Sequence, residues 1–412
     1  MRYDRDTTQP PHLKKKGDRH MLKVTSLFSQ VISEISARGR FDNLVAQYQA
    51  ERNAKGFTCH AQMVSMLFCH LAGTDSLREI AEGLRICNGK LSHLGIKKAP
   101  CRSTLAYANE HRPAELFQAF FFALLEQYTN TAPFGRRKKK FRFKSKLYSF
   151  DSTTISLCLS LFPWAKYRRA KGGVKIHVLL DHDSYMPSFV QITEAKVHDS
   201  QMSKNLSLNP GSIIVMDRGY VDYAQFYTWN GQHVRFVTRL KDNAVYECVR
   251  KRSLPFSSGN LVLDEEIRLT SAAAQKAYPD TLRRVVVHNS ENDEDIELLT
   301  NDFELSAKTI ADIYKDRWEI ELFFKTLKQN LKVKTFVGTS ENALRIQIWT
   351  ALTALLVIKW LCYQSQTGWS LSTTATMLGL NLFTCRDLME WLKDPVLTQP
   401  VVPKVEQMEL PL

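Results

Sequence analysis

The chain has 412 residues, enough for a catalytic core with one or two smaller domains. With 44% hydrophobic and 24% charged residues, its composition is that of a globular protein, which excludes a fibrous or wholly disordered chain. Lys and Arg outnumber Asp and Glu by 56 to 42, a net +14 that favours a polyanionic partner, nucleic acid ahead of an anionic membrane surface. No stretch reads as a membrane span, because the most apolar run, 348–358, is bounded by Gln347 and Lys359 and is too short. The polar, basic start lacks the apolar core of a signal peptide. Eight cysteines are scattered without a CxxC pair, and Cys59-His60 and Cys69-His70 fit no common zinc-finger spacing. They read as reduced structural thiols of a cytoplasmic protein.

Residues 1–20 carry Pro10-Pro11 and Lys14-Lys15-Lys16 without apolar periodicity and read as a disordered basic leader, with Met21 as an alternative start. Residues 21–128 read as a small all-α DNA-binding domain. Phe28, Val31 and Ile32 fit one helix, Met63, Met66, Leu67 and Leu71 a second, and Leu77, Ile80, Ala81 and Leu84 a third. Polar joints such as Gly73-Thr74-Asp75-Ser76 suggest a helix-turn-helix, and Ser103 is the expected N-cap of a helix over 104–110. Residues 129–146 form a linker in which eight of the eleven residues from Arg136 to Lys146 are basic, interleaved with Phe141 and Phe143. Such a run is either a solvated hinge or a strip gripping DNA phosphates. In a chain this basic, Arg136, Arg137, Lys138, Lys139 and Lys140 are assigned to phosphate contact.

The pattern then turns strand-like. Residues 147–150, 174–180, 188–193, 213–216 and 234–238 read as five strands, with a helix over 223–229 between the last two. A three-stranded meander followed by strand, helix, strand is the order of an RNase H-like α/β core. Its first part spans 147–240 and its second 302–365, with a β-rich insertion between them at 241–301. Strands are expected in that insertion at 261–269, 282–288 and 296–300. A long helix is expected over 306–331, apolar helices over 341–363, and a C-terminal tail over 366–412.

Three acids sit where such a core brings side chains together. Asp151 follows the strand Leu147-Tyr148-Ser149-Phe150, Asp217 follows Ile213-Ile214-Val215-Met216, and Glu321 lies within the long helix. An Asp after a strand usually caps a turn, so either one alone is weak; their joint order is stronger. In the helix, spacings of three, four and seven place Tyr314, Arg317, Glu321 and Lys328 on one face. Ile313, Ile320, Phe324, Leu327 and Leu331 form a separate apolar stripe.

The pattern Tyr-x2-Arg-x3-Glu-x6-Lys resembles the signature of a group of bacterial insertion-sequence DDE transposases. Ser149-Phe150-Asp151-Ser152-Thr153 and Asp217-Arg218-Gly219-Tyr220 are similar to the same group, as are Phe28-Ser29-Gln30, Ser76-Leu77-Arg78-Glu79-Ile80 and Ser103-Thr104-Leu105-Ala106 near the start. The resemblance covers roughly residues 25–365. It implies a cut-and-paste enzyme that binds terminal inverted repeats of double-stranded DNA and works as a homodimer or higher multimer in the bacterial cytoplasm, at the nucleoid and away from membranes. It also implies that Asp151, Asp217 and Glu321 hold Mg²⁺, with Mn²⁺ as a substitute, and that Tyr314, Arg317 and Lys328 contact phosphates near the transposon end. Asp181, Asp183, Asp199 and Glu319 miss the motif positions and are assigned to turns or surface, and a two-metal scheme needs no base from His177 or His198. In relatives, an aromatic of the insertion stacks on a flipped base during hairpin formation. Here 241–301 contains no Trp, leaving Tyr246, Phe256, Tyr278 and the preceding Trp229 as candidates. Two other readings compete: a DNA-binding regulator descended from a transposase, and a different RNase H-like nuclease.

Overall fold

The computed structural model describes residues 25–398, apart from 37–38, 53, 55, 132–139, 159, 169–170, 198, 255–258 and 331–335. The expected leader, Arg136 to Lys139, His198, Phe256 and Leu331 lie outside the described residues. Among the described residues, six α-helices come first: α1 (Leu27–Ser36), α2 (Arg40–Gln47), α3 (Cys59–Ala72), α4 (Leu77–Ile86), α5 (Arg102–His111) and α6 (Ala114–Thr131). Their ends follow local chemistry. Thr58 and Ser76 accept hydrogen bonds from the amides of Ala61 and Glu79 at the starts of α3 and α4. Gly73 closes α3 with φ 68°, a left-handed conformation that disfavours a side chain. The expected cap at Ser103 is not found. Helix α5 begins at Arg102, and the Ser103 and Thr104 hydroxyls turn back to Cys101 Sγ, at 3.2 and 2.9 Å.

Among the described residues, ten strands form one sheet: β1 (Leu147–Leu157), β2 (Lys166–Arg168), β3 (Lys171–Asp181), β4 (Met186–Glu194), β5 (Ile213–Met216), β6 (Arg235–Arg239), β7 (Tyr246–Lys251), β8 (Leu261–Leu269), β9 (Leu282–Asn289) and β10 (Glu294–Thr300). The main order is β2-β3-β1-β5-β6-β10-β9-β8-β7, with β4 also paired to β3. β1, β5 and β6 are mutually parallel, while β1–β3, β3–β4 and β6–β10 are antiparallel. The uninterrupted apolar run of β5 suits a strand buried on both faces, and all four of its residues are buried. Helix α8 (Tyr223–Gly231) carries the crossover from β5 to β6. The strands of 241–301 extend the same sheet rather than forming a separate layer, and β7 and the short helix α9 (Ala272–Ala277) join those expected.

Alternation along β1 assigns its faces. Phe150 packs in a core with Phe226, Trp229 and Phe236 of α8 and β6, near the short α7 (Asp199–Met202). On the other face, Leu147 joins the core under α10 (Ala307–Asp316), and Ile155 and Leu157 join the helical bundle. The long helix expected over 306–331 is two helices, α10 and α11 (Trp318–Asn330), broken at Arg317. At the break the bonding tightens, Arg317 N to Tyr314 O at 3.2 Å and Ile320 N to Arg317 O at 3.1 Å. No Pro or Gly causes it. α10 packs over β5, β6, β9 and β10, whereas α11 packs on β1, so one straight rod would give up one of these two packings. The expected apolar stripe holds through Ile313, Ile320, Phe324 and Leu327, all buried.

The helices expected over 341–363 are one helix, α12 (Glu341–Ser365), and the expected tail contains α13 (Leu371–Asn381) and α14 (Leu388–Lys393). By length and composition α12 can cross a bilayer, contrary to the expectation from its 348–358 run alone. However, 83% of its most apolar stretch is buried inside the protein, where it serves as the central rod of the bundle. It packs against α3, α5 and α6, so the amino-terminal helices and α12–α14 share one core. Tyr128 of α6 stacks on Trp360 of α12 with ring centroids 4.3 Å apart.

Candidate active site

The site lies where β1, the end of β5 and the α10–α11 break meet. Asp151 is on the face of β1 that looks toward α11, and its Oδ1 accepts from the following Ser152 amide at 2.7 Å. Asp217 caps the short 3₁₀ turn after β5 in the same manner, accepting from Arg218 N at 2.7 Å. Glu321 projects from the first turn of α11. Arg317 draws two of these elements together: its guanidinium donates to Asp151 Oδ2 at 3.4 Å and to Glu321 Oε1 at 2.9 Å. The Arg317 side chain is largely buried, and its Cζ lies 5.6 Å from the centre of the Tyr314 ring. Lys328, two turns beyond Glu321, donates to the backbone oxygen of Thr154 at 3.1 Å. An open cleft of 410 Å³ is lined by Asp151, Ser152, Thr153, Glu321, Lys325 and Lys328.

Burial sets the electrostatics of the site. Burial pushes the Asp151 carboxyl up to about 6; the Ser152 amide and Arg317 pull it down, while Asp217 and Glu321 push it further up. For Arg317, burial works against the charge, but Tyr314, Asp151, Glu321 and Asp217 outweigh it and raise its pKa. Among the described residues, no three His, Cys, Asp or Glu side chains converge closely enough to share an ion. Asp151 and Glu321 converge on the guanidinium instead.

A model of the transposase DDE domain matches residues 142–357, and a second, of a domain of unknown function, matches 23–97. The chain belongs to the DDE transposase family. A putative transposase of Sinorhizobium fredii is 34% identical over 63% of this chain and 71% of its own length. A probable transposase for an insertion sequence element of Geobacillus stearothermophilus is 36% identical over 62% of this chain and 67% of its own. A putative insertion-sequence transposase of Synechocystis is 25% identical over 71% of this chain and 81% of its own. The DDE domain match spans all three acids and the α10–α11 break.

Within this transposase, Asp151, Glu321, Tyr314 and Arg317 are in contact through one guanidinium, and Asp217 acts on Asp151, Tyr314 and Arg317 through its charge. The remaining acids are accounted for elsewhere. Asp181 and Asp183 pair with Lys146 at 2.9 and 3.0 Å, Asp199 binds Lys175 at 3.1 Å and Ser152 Oγ at 2.9 Å, and Glu319 lines a different cavity beside Tyr185 and Tyr363. His177 is fully buried, bonded to Thr193 Oγ1 at 3.0 Å, and burial pushes its pKa down to about 4, so the ring is neutral. Of the aromatics considered for base stacking, Trp229 and Tyr278 are buried in the core and cannot meet a base. Tyr246 lies under Arg284, 5.2 Å from ring centre to Cζ. Of the basic strip, the described Lys140 donates to Asp316 instead of facing solvent alone. Two features escaped sequence reading. Lys325 lines the cleft one turn after Glu321, a position that the i,i+4 rule reaches. His182 and Ser149 cluster with Asp316 behind Arg317, from positions too far apart in sequence to signal each other.

Proposed function

We propose that this chain is a cut-and-paste transposase with an RNase H-like core, which binds the terminal inverted repeats of an insertion sequence and catalyses DNA strand cleavage and strand transfer as a multimer. The observation that carries the reading is the single guanidinium of Arg317 joining Asp151 on β1 to Glu321 on α11, beside Asp217 at the end of β5. β1 parallel to β5, and β5 to β6, with β3 and β4 antiparallel beyond β1, supports the RNase H-like assignment.

Asp151 and Glu321, drawn together on Arg317, offer the hard oxygen donors that a divalent cation such as Mg²⁺ or Mn²⁺ takes, and a nearby cation would relieve the raised pKa of Asp151. Asp151, Asp217 and Glu321 would hold it, and bound metal would supply an activated nucleophile and charge stabilisation at the leaving oxygen. Arg317 neutralises the paired acids, and its planar fork is of the kind that can hold a phosphate through two bonds, whereas a lysine would offer a point charge. Lys325 and Lys328 line the same cleft as Asp151 and Glu321, so their ammonium groups are placed to meet the phosphates of a strand lying in it. Tyr314 supports the guanidinium from beneath.

Nicking of a labelled transposon end in the presence of Mg²⁺ or Mn²⁺ tests this reading. Cleavage at the repeat boundary, lost in Asp151→Ala, Asp217→Ala and Glu321→Ala, is the expected result. Specific binding of the end without nicking under either metal would instead make the chain a DNA-binding regulator.

A further inference from the structure

Behind the cleft runs a second chain of polar side chains. Ser149 Oγ and His182 Nε2 are 2.6 Å apart, His182 Nδ1 and Asp316 Oδ2 are 2.7 Å apart, and Lys140 Nζ donates to Asp316 Oδ1. The carboxylate can only accept, so Nδ1 donates to Asp316, and Nε2 shares a hydrogen bond with the Ser149 hydroxyl. Serine, histidine and aspartate in this order would suit a nucleophile. Ser149 is 0% exposed in mid-strand, however, and no substrate reaches its oxygen.

What these side chains join is more informative than their order. Ser149 stands two residues before Asp151 on the same face of β1. His182 opens the turn between β3 and β4. Asp316 is the last residue of α10, immediately before Arg317, and Lys140 belongs to the basic strip. Burial opposes the charge of Asp316, but the bonds from His182 and Lys140 outweigh it and lower its pKa, so the anchor is an anion. The His182 and Asp316 side chains are 5% and 3% exposed; the Lys140 side chain, at 56%, is the end that solvent and polyanions can reach.

We propose that Ser149, His182, Asp316 and Lys140 form a positioning device that fixes the break between α10 and α11, and so the aim of Arg317 and Glu321, and that Lys140 makes this aim respond to phosphate at the basic strip. The proposal rests on the DNA-cutting reading for its consequence, but not for its geometry. A phosphate competing for the Lys140 ammonium removes one of the two donors on Asp316 and leaves the junction held by His182 alone. DNA arriving at the linker is thereby coupled to the catalytic helix without touching it. None of the four residues need meet the reacting atoms.

Two measurements test it. In the protein without DNA, amide hydrogen exchange of a peptide covering 314–321 should quicken about tenfold in Asp316→Asn, with peptides from α12 unchanged, because only the junction loses its anchor. Adding a random-sequence duplex to the wild type should shift exchange in the same peptide, and Lys140→Met should abolish that shift. In single-turnover nicking on a pre-bound end, Asp316→Asn should slow cleavage about tenfold or more while the Kd for the end stays within about twofold, since small misplacements of catalytic groups are costly. Combined with Arg317→Lys it should add little, because both act through one guanidinium; a general loss of structure would multiply instead. Unchanged exchange at 314–321 in Asp316→Asn, or multiplicative effects with Arg317→Lys, would overturn the proposal. A wild type that shows the exchange effects but never nicks would overturn the cleavage reading alone.

Discussion

Asp151→Asn should abolish cleavage and yet stabilise the ligand-free protein, by an amount that depends on pH. Burial and the neighbouring Asp217 and Glu321 hold the Asp151 carboxyl at about 6 against an ordinary 3.8, despite Arg317. Its raised pKa means that the folded state binds its proton more tightly than the unfolded state does. The charged form therefore costs stability, fully above about pH 6, and the cost fades as pH falls toward 4. At about 1.4 kcal/mol per pH unit, the displacement from 3.8 to about 6 corresponds to about 3 kcal/mol. Asparagine keeps the shape without the charge, and Arg317 retains Glu321 at 2.9 Å. The expected result is a higher Tm for Asp151→Asn than for wild type at pH 8 in EDTA, shrinking to nothing near pH 4. Added Mg²⁺ should raise the wild-type Tm and leave the variant's unchanged. Thermal denaturation across pH 4–8, followed by circular dichroism, reads all of this. A variant less stable than wild type at pH 8, or a difference that does not vary with pH, would mean that Asp151 is a satisfied structural partner of Arg317 and not a strained ligand.

Asp217→Ala and Glu321→Ala should each remove detectable nicking while leaving end binding within about threefold in a gel-shift assay, because recognition surfaces spread over many groups elsewhere. Arg317→Lys preserves charge but not the two-pronged geometry, so it should slow single-turnover cleavage more than it weakens binding; normal cutting would make Arg317 a structural partner only. Neutralising Arg136, Arg137, Lys138 and Lys139 should weaken specific and random duplexes alike and flatten the slope of log K against log salt by about 0.9 for each phosphate no longer neutralised. A weakening confined to the specific duplex would show that these residues read bases. Leu352→Ala, in the centre of α12 and fully buried, should cost about 2–5 kcal/mol and melt the amino-terminal helices together with α12–α14, because they share one core. Two separate transitions in calorimetry would count against that shared core.

Much of the chain could be read before any fold was known, for physical reasons that operate over a few residues. Short runs of apolar and β-branched residues, some alternating and some, as in β5, continuous, placed β1, β3, β4, β5, β6, β8, β9 and β10, and the three-and-four spacing placed α3, α4 and the face that bears Arg317 and Glu321. The end of β5 points to Asp217, whereas Asp151, expected just after a strand, lies inside β1 because that strand runs on to Leu157, and the four side chains that carry the family resemblance are divided about the α10–α11 break. The short β2 and β7 escaped because three to six residues without a continuous apolar pattern carry little signal. Ser103 failed as a cap because capping depends on where the preceding chain turns, not on the residue type alone.

Local pattern says which face of an element is apolar, but not which other face will cover it. Residue order alone was enough to establish that α12 is apolar, that Glu321 follows Arg317 by one turn, and that three acids lie in strand, strand, helix order. Packing settled the rest. It sheathed α12 with helices from the opposite end of the chain, so that a segment apolar enough for a bilayer became a core rod. It also broke the helix expected to carry Tyr314, Arg317 and Glu321 at Arg317, since α10 and α11 answer to different strands of one sheet. The contacts of His182 with Ser149 and Asp316 span 33 and 134 residues, and no periodicity reaches that far. Such contacts arise only when separate elements are packed against each other, because burial leaves each polar group to find whatever partner the neighbouring element supplies.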